Sequence, residues 1–119
     1  NGDIMQVMTE NENISFFIPE EGTSFSYDGM VIPSSAPNPD LAYKFINYML
    51  DPAVSAENMN FTSYLSPNAP AVKLIDEKLR NNPIFLPPKT LLKKCEGLKD
   101  LGDKNVMYTR IWDEIRASK

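Results

Sequence analysis

Residues 14–33 read Ile14-Ser15-Phe16-Phe17-Ile18-Pro19-Glu20-Glu21-Gly22-Thr23-Ser24-Phe25-Ser26-Tyr27-Asp28-Gly29-Met30-Val31-Ile32-Pro33. Two apolar runs lie here, each closed by a proline and separated by the polar turn Glu20-Glu21-Gly22-Thr23. Short aromatic and β-branched runs bounded by turn residues predict buried strands over Ile14–Ile18 and Phe25–Ile32. The remaining segments carry no further clear strand. Two strands do not make an independently stable sheet, so the pair requires partners. Those partners are either a second copy of the chain, through self-association, or an upstream part of the same polypeptide. On this ground the sequence is expected to be a truncated piece of a larger α/β protein, helix-rich with few strands.

On the N-terminal side, Asn1-Gly2-Asp3 reads as a turn into a short helix, with Asp3 as its cap and Ile4, Met5, Val7 and Met8 on its buried side. Asn11 to Asn13 end it. On the C-terminal side, Ser34–Pro39 is a loop of small residues and prolines. A helix follows with Asn38 as N-cap, Pro39 in the first position and Asp40 complementing the dipole. Leu41, Ala42, Phe45, Ile46, Met49 and Leu50 recur at helical spacing and form one apolar stripe. Asp51-Pro52 ends that helix and caps a second, over Pro52–Asn60. Phe61–Pro70 is a loop carrying Tyr64. Helices are expected over Pro70–Arg80, Lys89–Cys95 and Asn105–Ala117, the last with Val106, Ile111, Trp112 and Ile115 apolar.

The chain has 119 residues, 42% hydrophobic and 10% aromatic, enough for one folded unit. Sixteen acidic against 12 basic residues give a formal charge of -4, which disfavours a nucleic-acid partner. Histidine is absent, and with it the commonest general base and metal ligand. The single cysteine, Cys95, forms no internal disulfide and reads as a small buried residue on its helix. No cofactor is expected.

The order and spacing of several segments carry a resemblance. They are Asn1-Gly2-Asp3, Ile18-Pro19-Glu20-Glu21-Gly22, Tyr27-Asp28-Gly29-Met30-Val31-Ile32-Pro33, Ala42-Tyr43-Lys44-Phe45-Ile46-Asn47-Tyr48-Met49-Leu50-Asp51-Pro52, Tyr64-Leu65-Ser66-Pro67-Asn68 and Arg110-Ile111-Trp112-Asp113-Glu114-Ile115-Arg116. Together they resemble the polyamine (spermidine/putrescine) substrate-binding proteins of bacterial ABC transporters. The resemblance implies a two-lobed, periplasmic-binding-protein-like α/β fold, of which this chain is the C-terminal portion. Residues 1–24 would finish the second lobe, 25–71 would form a return segment of the first, and 72–119 would be C-terminal helices of the second. It implies a polyamine ligand in the interlobe cleft, delivery to a membrane permease, and a place in the periplasm or at the extracellular face of the membrane, with lipid anchoring of the parent as one form.

A polyamine site must neutralise ammonium groups and cover methylenes, so acids and aromatic faces are its minimum. Asp28 matches the family carboxylate that pairs with a ligand amine, and it sits in an otherwise apolar run. Its alternative is a strand-edge acid facing water. Asp3 matches an acid that contacts ligand in putrescine-type members; its alternative is a plain helix cap. Tyr64 matches a cleft tyrosine, against an alternative of a loop anchor. At Ser26 the family usually has a large aromatic, and alternation turns the neighbouring Tyr27 to the other face. The departure at Ser26 opens the ligand to other small cations. Tyr108 and Trp112, four apart, read as core packing.

Competing functions are a binding protein for a different solute such as a sugar, amino acid or metal-bound anion, a carboxylate-pair glycosidase, and a fragment that only self-associates. No phosphate loop or nucleophile elbow supports an enzyme.

Overall fold

In the computed structural model, residues 2–118 are described. Seven α-helices and one 3-10 turn surround very little sheet among these residues. The helices are α1 (Gly2–Glu10), α2 (Pro39–Met49), α3 (Pro52–Thr62), α4 (Ala69–Val72), α5 (Glu77–Arg80), α6 (Lys89–Leu92) and α7 (Asn105–Ala117). The strands are β1 (Ser24–Phe25) and β2 (Glu96–Gly97), paired in parallel with Ser24 opposite Glu96 and Phe25 opposite Gly97. The helix-rich character expected from sequence holds.

The helix starts follow the sequence closely. Asn38 Oδ1 accepts from the Leu41 amide at 3.2 Å, and Pro39 occupies the first position of α2. Asp51 Oδ1 accepts from Ala53 and Val54 at 2.9 and 3.3 Å. Each bond satisfies an amide that has no intrahelical acceptor. Asn68 does two jobs: its Oδ1 accepts from Ala71 at 3.3 Å to start α4, and its Nδ2 donates to the Leu50 carbonyl at 2.8 Å, where α2 ends.

The core lies where α3 meets the segment from α4 to residue 86. Ala56, Met59, Ala71, Ile75 and Phe85 are buried, with Met5, Val72, Leu79 and Leu86 packed against them. Met59 is fully enclosed. Asn60 pins the start of α5 to α3: its Nδ2 donates to Asp76 Oδ1 at 3.1 Å, and its Oδ1 accepts from the Asp76 amide at 3.0 Å.

Several expectations are corrected. Residues 14–18 form no strand, and Phe17 is 74% exposed. A strand needs a neighbour for its backbone groups, and none stands beside this run among the described residues. The strand expected over Phe25–Ile32 is only Ser24–Phe25, for the same reason: its partner, β2, is two residues long. The helix expected over Pro70–Arg80 is split into α4 and α5 by a turn at residues 73–76, where Asn60 holds Asp76. The helix expected to reach Cys95 ends at Leu92, because the chain must straighten to place Glu96 beside β1. Cys95 is half-buried rather than buried, its Sγ donating to the Leu91 carbonyl at 3.4 Å. The Tyr108–Trp112 pair does not pack into the core: the two are 67% and 59% exposed on α7.

Candidate functional site

Four residues are expected from sequence to carry the site: Asp3, Ser26, Asp28 and Tyr64. Three of them converge. Asp3 lies in the first turn of α1. It is inside the helix and not its cap, which corrects the expectation. Tyr64 stands just after α3, and its placement is set by a chain of local bonds. Ser63 takes a left-handed conformation (φ 57°) as the C-cap of α3, its amide donating to the Met59 carbonyl at 2.9 Å. The reversal is fixed by Thr62, whose Oγ1 donates to Asn58 O at 2.7 Å and accepts from the Tyr64 amide at 3.2 Å. Gln6 of α1 donates its Nε2 to the Thr62 carbonyl at 3.0 Å and so docks α1 on this turn.

The result puts the Tyr64 phenol against Asp3. The Tyr64 hydroxyl is hydrogen-bonded to the Asp3 carboxylate, and this bond is the main cause that raises the phenol pKa above its ordinary value of 10.0. Desolvation and the Asp3 charge push in the same direction, the Asp3 main chain pulls against them, and the charge of Asp28 adds a smaller upward push. Asp28 is therefore close enough for its field to reach the phenol. Asp3 on α1 bonds the hydroxyl and Asp28 beyond β1 acts on it through its charge alone, and Asp3, Asp28 and Tyr64 are all exposed, which leaves an open acidic face.

Such a face concentrates negative charge and offers one aromatic wall. A small cation satisfies both, by pairing with the acids and lying against the ring. Ser26 is exposed and brings no ring. Phe25 and Tyr27 meet edge to face with centroids 5.4 Å apart, so the Tyr27 ring is engaged by Phe25.

Asp28 is held indirectly. The Glu96 amide donates to Thr23 O at 3.1 Å and the Leu98 amide to Phe25 O at 3.0 Å. Lys94 Nζ donates to the Glu20 carbonyl at 2.6 Å. Gly22 (φ 105°) lies directly under the Lys94 main chain. Sequence reasoning missed this clasp and also Gly2, which is buried against Tyr64. Neither carries a local signal: a glycine at a helix start is commonplace, and partners some seventy residues apart leave no periodicity.

Comparison with known proteins agrees with the resemblance seen in the sequence. Putrescine-binding periplasmic protein PotF of Escherichia coli is 35% identical over 108 residues, covering 90% of this chain and 29% of PotF. Putrescine-binding periplasmic protein SpuD of Pseudomonas aeruginosa is 31% identical over 126 residues, covering 100% of this chain and 34% of SpuD. The spermidine/putrescine-binding periplasmic protein of Salmonella typhimurium is 32% identical over 101 residues, covering 85% and 29%. The chain thus spans about a third of the length of these relatives. Residues 1–87 match the family described as bacterial extracellular solute-binding protein, a stretch that includes α1, the Asp28 segment and Tyr64. On that match, the chain belongs to the bacterial extracellular solute-binding protein family.

Proposed function

We propose that the protein carrying this chain is the solute-binding component of an ABC importer, and that it binds a di- or polyamine and hands it to a membrane permease. The observation that supports this most is the bond between Tyr64 and Asp3, with the charge of Asp28 near enough to act on the same hydroxyl. The names of the relatives, all amine-binding periplasmic proteins, point the same way. The protein acts by binding and not by catalysis, in the periplasm or at the extracellular face of the membrane. Asp28 and Asp3 neutralise ammonium groups, Tyr64 covers methylenes, and Ser26 leaves room where a ring would narrow the cleft. On this reading residues 1–24 end one lobe, 25–71 return to the other, and 72–119 come back. The α1–α3 contacts then lie between the lobes, and closure of the lobes on ligand is what the permease recognises.

Isothermal titration of the intact protein tests the proposal, with putrescine, cadaverine and spermidine set against a sugar and an anion. Binding of at least one amine is expected, and binding of the sugar or anion alone would overturn the reading. Asp28→Asn is expected to weaken amine binding by about tenfold to a hundredfold, the loss of one charge-assisted contact in a partly exposed site. Equal affinity in the variant removes Asp28 from the site.

A further inference from the structure

We propose that Gly2 is a positioning residue of this site: by carrying no side chain it lets the Tyr64 ring lie on the first turn of α1, where the ring's hydroxyl holds the Asp3 carboxylate. The proposal rests on the amine-binding reading for its ligand and on geometry for everything else. Gly2 is buried. A Cβ built there overlaps Cδ2 and Cε2 of Tyr64 and stands 2.7 Å from the Thr62 carbonyl oxygen, closer than real Cβ atoms come.

Gly2 is part of helix α1, whereas Gly22 and Gly102 are turn glycines of positive φ. Glycine is the poorer helix former there, so space is what it supplies. The neighbours are poorly placed to yield. The Thr62 carbonyl accepts from Gln6, the Tyr64 amide donates to Thr62 Oγ1, and Ser63 is turned by its left-handed backbone. A methyl at position 2 must displace both the ring and the Thr62 carbonyl, and either shift takes the phenol off Asp3, so the carboxylate loses the bond that fixes its direction. An acid that must meet an ammonium group then samples several rotamers instead of one, and binding carries that ordering cost.

The test uses the intact protein with tyrosines labelled at Cζ, the Tyr64 signal being assigned from Tyr64→Phe. In the absence of ligand, Gly2→Ala is expected to bring the Tyr64 titration down toward the ordinary phenol value. It is also expected to weaken putrescine binding about tenfold in the wild-type background and much less in the Tyr64→Phe background, where no hydroxyl is left to misplace. An unchanged Tyr64 titration overturns the proposal, as does an equal loss of affinity in both backgrounds. Should Gly2→Ala fail to fold, Tyr64→Phe alone carries the test, since it keeps the ring on Gly2 and removes only the hydroxyl: putrescine binding weakened about tenfold supports the proposal, and unchanged affinity refutes it. Because the titration is read without ligand, failure of the amine-binding reading leaves this result standing on its own.

Discussion

Truncating Met59 to alanine tests whether the α3–α4 contact is the true centre of the structure. Met59 has no exposed surface and is walled by the buried residues of the core. The substitution removes three heavy atoms, which at about 0.8 kcal/mol for each methylene-sized group gives about 2.4 kcal/mol of lost transfer energy. A residual cavity of about 50 Å³ adds about 1.2 kcal/mol at about 24 cal/mol per Å³. The expected loss is about 3–4 kcal/mol, inside the range for buried large-to-alanine changes. Urea unfolding of the intact protein measures it, with hydrogen exchange of the Ser63 amide as the local reporter, because that amide donates to the Met59 carbonyl. Met59→Leu conserves volume and is expected to cost less than about 1.5 kcal/mol. A loss below about 1 kcal/mol in Met59→Ala, or equal losses in the two variants, would refute the claim that packing at this point governs stability.

The Tyr64–Asp3 bond makes a pH prediction of definite sign. The folded phenol pKa is raised, so between the ordinary value near 10.0 and the folded value the unfolded chain holds fewer protons. The contribution of the bond is therefore complete below about pH 10 and is lost as pH rises through the folded value. Melting curves from pH 8 upward should show the wild-type advantage over Tyr64→Phe shrinking above that point; a constant difference would contradict it. Gly22→Ala is expected to break the β1–β2 clasp, since a Cβ there stands 2.7 Å from the Lys94 carbonyl carbon and the φ of 105° costs an L-residue about 1–3 kcal/mol. The Glu96 and Leu98 amides should then exchange faster, and unchanged protection would show that the loop absorbs the methyl group.

Local chemistry was the legible part of this fold. The caps at Asn38, Asp51 and Asn68 lie a few residues from the amides they serve, and proline placement reads directly from the chain. Ile14–Ile18 and Phe25–Ile32 have strand composition, but strand formation depends on a neighbour that composition does not reveal. The split at residues 73–76 was illegible because it is written by Asn60, sixteen residues from Asp76. The site was legible only through family resemblance. Nothing in spacing alone joins Asp3 to Tyr64, and the packing that does so depends on Gly2, a residue with no chemistry of its own. The apolar stripe on α7 is plain in the sequence, but helical periodicity does not say whether a stripe is covered, and here it is exposed.

The parallel pairing of Ser24–Phe25 with Glu96–Gly97 has a mechanical corollary. Asp28 follows three residues after a pair of hydrogen bonds that join two distant passages of the chain, whereas Asp3 and Tyr64 are fastened to each other through α1 and the end of α3. The acidic face is thus assembled from two separately moored pieces. Loss of these two bonds therefore loosens the segment that carries Asp28 while the Asp3–Tyr64 contact stays fastened, so the two acids can be perturbed one at a time.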